Sequence, residues 1–290
     1  KKKRNLLEPI GILKDGQVYD LQTALALNIQ GVEIKADDSK ESLDILRHSC
    51  AHMMAQAIKE LYPEAKFFVG PVVKEGFYYD FKVESKISDE DLPTIEKKMK
   101  EIADRKLPIT RHETTKEEFF EKFKNDELKQ AVLKNIKDDT LTIYKQGDFE
   151  DLCRGPHLPN TRMIRSFKLT RVAGAYLGGD EKNEMITRIY GIAFFDKQAL
   201  FDYTKMIEEA KKRDHRKLGT ELELFTFNDD VGAGLPMWLP NGARLRSKLE
   251  HLLYKAHRVR GYEPVRGPEI LKAEMWKISG HYANYKENMY

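Results

Sequence analysis

Residues 43–61 read LDILRHSCAHMMAQAIKEL, and the spacing inside this run decides the fold of the middle of the chain. Leu43, Leu46, Cys50, Met53, Met54, Ala57, Ile58 and Leu61 recur every three or four residues, the period of one helical face. Asp38, with Glu41 three residues on, predicts a capped start, and Pro63 follows the end. His48 and His52, four apart, project side by side from one flank of the stripe. Cys50 falls within the stripe and reads as core.

Outward from this helix, residues 66–83 (KFFVGPVVKEGFYYDFKV) predict two strands around Gly-Pro and Glu-Gly turns. Ser88 and Thr115, each with an acid three residues on, predict helices over 88–105 and 115–124. Residues 147–160 (GDFEDLCRGPHLPN) carry the Gly and Pro punctuation of a loop after a strand. Residues 167–194 (FKLTRVAGAYLGGDEKNEMITRIYGIAF) predict strands joined by a polar turn. The stretch from 43 to 201 is therefore expected to be a mixed α+β domain.

Before it, residues 9–27 (PIGILKDGQVYDLQTALAL) set Asp15-Gly16 between apolar runs, the signal of a type I′ hairpin. Asp20 then caps a short helix carrying Leu21, Ala24 and Leu25, so residues 1–42 suggest a small β-grasp-like appendage. After it, residues 202–217 (DYTKMIEEAKKRDHRK) predict a charged connecting helix. A Gly-rich stretch, a helix from Ala243 to Arg260 and a strand in GYEPVRGPEIL (261–271) follow.

At 290 residues the chain is long for one domain, and 41% apolar with 33% charged residues is a globular composition. Fifty Lys and Arg against forty-seven Asp and Glu leave +3, which announces no nucleic-acid binder. Basic runs at 1–4, 210–217 and 244–262 could still track phosphates. Two cysteines give no disulfide framework and fit a reducing compartment. No run is long enough to cross a bilayer, so a cytoplasmic protein without a membrane partner is expected. The first residue is not Met and the last are ENMY, so both ends look cut.

The chemistry lies in a combination. His48 and His52 on one helical flank meet a second pair, Cys153 and His157, in DLCRGPH (151–157). Four such ligands could hold tetrahedral zinc. They could equally orient and deprotonate a water without metal, with an imidazole as general base. Taken singly, each is more simply a packing residue.

HSCAHMMAQAIKELYP, GPVVKEGFYYDF, DLCRGPH, KLTRVAGAYLGGDEKNEM and RIYGIAF, in this order, resemble the editing domain of bacterial threonyl-tRNA synthetases. KRDHRKLGTELELF, GLPMWLPNGARLR, RGYEPVRGPEIL and WKISGHYANYKENMY resemble the start of that family's class II catalytic domain. The first forty residues are similar to the family's TGS domain, though shorter. The resemblance implies an α+β, multi-domain chain: a shortened TGS domain (1–42), an editing domain (43–201), a linker helix (202–217) and a truncated catalytic start with motif 1 on an antiparallel sheet (218–290).

It also implies a task. A pocket separates threonine from serine by only about 1–3 kcal/mol, so a second site must hydrolyse Ser-tRNA(Thr). Carried over to this sequence, His48, His52, Lys129, Cys153 and His157 are the catalytic set, with His48 on the water or the ribose hydroxyl. Tyr79, Asp80 and Asp151 bind substrate, Asp151 taking the seryl amino group or hydroxyl. Lys129 is assigned within a residue or two, and Lys134 remains open. The family's site works without metal, although the related alanyl editing domain holds zinc on a similar set; no metal is assigned here. The partners implied are tRNA(Thr), threonine and ATP, with Mg2+ and Zn2+ in the whole enzyme's catalytic domain and a homodimer through that domain. Class II motifs 2 and 3 do not follow residue 268, so this chain is expected to edit but not to form threonyl-adenylate. A zinc-dependent aminoacyl-ester hydrolase and a non-catalytic tRNA-binding module are the alternatives.

Overall fold

The computed structural model describes residues 8–37, 39–134, 136, 139–232, 234–268 and 271–288. The chain divides into two compact units, residues 1–207 and 208–290. It is mixed α+β, and its strands pair antiparallel throughout the described sheets.

In the first unit, β1 (Pro9–Lys14) and β2 (Gln17–Asp20) turn at Asp15 and Gly16, with φ of 50° and 77°. Both are positive, as the type I′ turn requires. α1 (Leu21–Ala26) begins at Asp20, whose carboxylate accepts from the Thr23 amide at 2.7 Å. β3 (Val32–Lys35) returns beside β1, giving the order β2-β1-β3.

α2 (Lys40–Leu61) follows, with Ser39 at its N-cap and no side-chain cap bond; Asp38, expected in that role, lies outside the described residues. From Ile45 to Ile58 every residue except His48 is buried. The predicted apolar stripe is thus only half of the account. Behind it lie Ser49, Ala51 and Ala55, small enough for neighbours to close on the helix from the other side as well.

The elements that follow are β4 (Lys66–Phe67), β5 (Val72–Val73), β6 (Gly76–Lys82), α3 (Leu92–Asp104), β7 (Ile109–Thr115), α4 (Lys116–Lys122), α5 (Glu127–Lys134), β8 (Thr140–Gln146), β9 (Phe149–Leu152), β10 (Ser166–Tyr176) and β11 (Met185–Phe194). β10-β11-β6-β4 form one sheet, with β5 also on β6, and β7-β8-β9 form another. α2 packs against α3, β6 and β11. The two predicted capping boxes form: Ser88 with Asp91 before α3, and Thr115 with Glu118 at α4. Between them they satisfy amides that a helix start leaves without partners.

The connector expected over 202–217 is instead two helices, α6 (Lys197–Lys212) and α7 (His215–Glu221). Asp214 breaks them: it adopts extended backbone and accepts from the Arg216 amide at 2.8 Å, a fresh N-cap. The second unit continues with β12 (Phe225–Phe227), β13 (Pro236–Trp238), α8 (Pro240–Val259), α9 (Ala273–Ile278) and α10 (His281–Tyr285). α8 starts at Pro240 rather than Ala243, since proline suits the first helical turn. The strand expected in 261–271 is not found among its described residues. Pro264 and Pro268 offer no amide there, and no strand of this unit pairs with the segment. Among the described residues no helix is long and apolar enough to cross a membrane.

Candidate functional site

His48 and His52 stand one turn apart on α2, and the loop after β9 brings Cys153 and His157 to them. Cys153 Sγ lies 3.1 Å from His48 Nε2 and 3.2 Å from His157 Nε2. The His157 ring stands 4.3 Å from each of the other two imidazoles, centroid to centroid. Donor atoms of all four residues lie within 4.8 Å of one another. His52 and His157 are buried, whereas His48 and Cys153 are partly open. The single break in the burial of α2 between Ile45 and Ile58 is therefore at this cluster.

Ser49, beside His48, fixes the proton on His157. Its hydroxyl has one hydrogen and donates it to the Ile45 carbonyl at 2.9 Å. The same oxygen accepts the Leu158 amide at 2.8 Å and sits 3.1 Å from His157 Nδ1. Nδ1 must then be the donor, which leaves Nε2 with a lone pair facing Cys153. Sequence reasoning did not single out Ser49; its only signal was a polar residue between the helix pair's first histidine and a core cysteine.

Burial sets the protonation states. It lowers His48 to about 4, against a hydrogen bond to the Pro156 backbone that works the other way. His52 and His157 fall well below the ordinary histidine value, first by burial and then by neighbouring positive groups. Burial likewise raises the Cys153 thiol. At neutral pH the cluster is three neutral imidazoles and a thiol, a set that can accept a proton from water or ligate a metal.

Beside it lies a buried polar trio. Asp151 on β9 accepts from the Tyr79 hydroxyl on β6 and from Lys129 Nζ on α5. The Leu152 amide donates to the same carboxylate at 2.8 Å. Burial pushes Asp151 up and brings Lys129 down to about 8. Tyr79 is 6.3 Å from the His52 ring, which links trio and cluster. Its ring fits because residue 70 is glycine: a Cβ there would stand 2.3 Å from it.

Not every expected residue joins. Asp80 follows Tyr79 on β6 and so points to the opposite face, where it pairs with Arg188 at 2.6 Å and 2.7 Å. Lys134 is exposed at the far end of α5, while Lys129 is buried at Asp151. Cys50 is fully buried in the core. A cavity of about 410 Å³ borders Lys129, Asp151, Phe67 and Phe149, but none of the His and Cys cluster lines it.

Residues 141–190 match the family described as threonyl and alanyl tRNA synthetase second additional domain. This span holds Asp151, Cys153 and His157. The chain is 69% identical over 283 residues to a threonine–tRNA ligase of Campylobacter jejuni (strain 81116 / NCTC 11828), covering 98% of this chain and 47% of that one. It is 74% identical over 254 residues to the Campylobacter lari ligase, covering 88% and 42%. The Helicobacter hepaticus ligase is 66% identical over 283 residues, covering 98% and 47%. The chain thus spans less than half the length of these relatives.

Proposed function

We propose that this chain, which belongs to the threonine–tRNA ligase family, hydrolyses the ester of serine wrongly joined to tRNA(Thr). One observation carries the reading: neutral His48 meets Cys153 and His157 at the only point between Ile45 and Ile58 where α2 is not buried. A reactive group needs access, and a packing histidine does not.

A water held at His48 attacks the ester carbonyl carbon. Its proton passes to the imidazole and then to the departing 3′-oxygen of the terminal ribose as the carbon–oxygen bond breaks. Nothing else is consumed. His157, fixed by Ser49, and His52 hold the water's surroundings, and Cys153 bridges the two loop and helix pairs. Lys129 and Tyr79, held by Asp151, offer polar atoms to the seryl group. Residues 43–201 form the editing part, 1–42 a TGS-like part, 202–217 the linker, and 218–290 the start of a class II catalytic domain. Threonine, ATP, Mg2+ and Zn2+ belong to the whole protein's ligase reaction, as does a homodimer through that domain.

Hydrolysis of Ser-tRNA(Thr) by the chain and by its His48→Ala variant tests this. The variant should lose the activity; equal rates would remove His48 from the reaction.

A second reading rests on the same donors. Three imidazoles and a thiol are a zinc set. Their S–N separations of 3.1 Å and 3.2 Å fall a little inside the roughly 3.5 Å edge of a zinc tetrahedron. Bound zinc would supply an activated water. Stoichiometric zinc in the purified protein, with hydrolysis abolished by a chelator, would favour this reading over the metal-free one.

A further inference from the structure

We propose that Asp20, in the amino-terminal appendage, is a positioning residue of the hydrolytic site: it holds the loop that carries Cys153 and His157. The inference rests on the hydrolytic reading above. Asp20 looks fully occupied as the cap of α1, but a cap needs one oxygen. Oδ1 accepts from the Thr23 amide at 2.7 Å. Oδ2 accepts from the Tyr144 hydroxyl at 2.5 Å and from the His157 amide at 3.4 Å. Asp20 is only 3% exposed, so this second oxygen depends on those donors.

Tyr144 carries the contact onward. It is 2% exposed, and its ring lies 4.5 Å from the His157 imidazole. The loop backbone rests on the pair at Gly155, whose φ is +72°. A Cβ there would meet the Tyr144 hydroxyl at 2.3 Å and the Asp20 carboxylate at 3.1 Å, so only glycine lets the loop sit this close. His157 is thereby held by its backbone from Asp20 and by its ring from Ser49 and Tyr144.

A second clip keeps the appendage in register. Gln22 donates to the Ile109 carbonyl at 2.6 Å and accepts from the Arg111 amide at 2.8 Å. Arg111 is the residue paired with Tyr144 across β7 and β8. The seam encloses about 20 Å³, room for one water at most. The appendage is therefore part of the wall that shapes the site.

The test uses Asp20→Asn and Tyr144→Phe in the whole chain, below their melting transitions. Asparagine keeps an acceptor for the α1 cap but can turn an amide N–H toward the His157 N–H. Phenylalanine keeps the ring and leaves the cap untouched, so it serves if Asp20→Asn folds poorly. Two readouts are followed: kcat and KM for Ser-tRNA(Thr), and the alkylation rate of Cys153 by iodoacetamide, which needs no hydrolysis. Cys50, fully buried, stays silent. Both variants should lower kcat about tenfold at unchanged KM, the scale of losing a supporting partner, and speed Cys153 alkylation. Gln22→Ala should do less. Unchanged alkylation overturns the proposal, and so does faster alkylation at unchanged kcat. If the parent chain does not hydrolyse Ser-tRNA(Thr) but alkylation still responds to Asp20, the hydrolytic reading fails while the loop-holding role stands.

Discussion

α2 and α8 are helices of 22 and 20 residues with apolar residues at the same spacing, yet they have opposite surroundings. In α2 His48 alone escapes burial between Ile45 and Ile58, whereas in α8 only Gly242 is buried. Leu245, Leu249, Leu252 and Leu253 of α8 are 48% to 61% exposed. The difference lies in what each helix meets. α2 packs against α3, β6 and β11, with Ser49, Ala51 and Ala55 small enough to let them close in. α8 packs against β13, and Arg246 and Lys248 flank its leucines. Periodicity announces a face that wants cover; the neighbours a helix finds decide whether it is enclosed. An enclosed helix can then hold two imidazoles in fixed, neutral states.

The largest effect expected from this contrast is catalytic. His48→Ala should slow hydrolysis of Ser-tRNA(Thr) by about 10²–10⁴, the usual worth of a general base, while His251→Ala on α8 leaves kcat unchanged. Single-turnover rates check both.

Next come two lysines of α5. Replacing Lys129 by Met leaves Asp151 buried without its cation and should cost about 3–5 kcal/mol in urea denaturation. Exposed Lys134→Ala should stay within about 0.5 kcal/mol.

A packing pair tests the helices themselves. Ile45→Ala, at a fully buried position, should cost about 2–5 kcal/mol. Leu252→Ala, 61% exposed, should cost less than about 0.5 kcal/mol. Equal costs would break the comparison.

The most gradual effect is on pH. His52 and His157 are held below the ordinary value of 6.5, so the unfolded chain binds more protons in acid. Their contribution is complete above 6.5 and is lost as pH falls below it, by up to about 1.4 kcal/mol per pH unit for each imidazole. Chemical denaturation at pH 7, 6 and 5 should show that slope, and His157→Gln should reduce it. In the same way, the acid limb of kcat should fall near 4, where His48 protonates, and not near 6.5.

Much of this was legible in the residues. The Asp15-Gly16 turn, the two capping boxes and the apolar period of α2 are local signals, and each forms where its chemistry points. The pairing of His48 and His52 with Cys153 and His157 was readable as a combination because both pairs carry unusual side chains. Asp80 was grouped with Tyr79 as substrate-binding, and the structure sets it on the opposite face with Arg188, as the alternation of consecutive strand residues dictates. Ser49 and Tyr144 gave no local sign, since their partners lie 108 and 124 residues away. The strand expected near residue 265 failed for a related reason. A strand exists through its neighbour, and the described part of that unit supplies none.

The most direct test is to incubate the purified chain with Ser-tRNA(Thr) and, in parallel, with Thr-tRNA(Thr). The account predicts rapid loss of serine with threonine retained. Serine left intact by folded protein, or both esters cleaved alike, would contradict it.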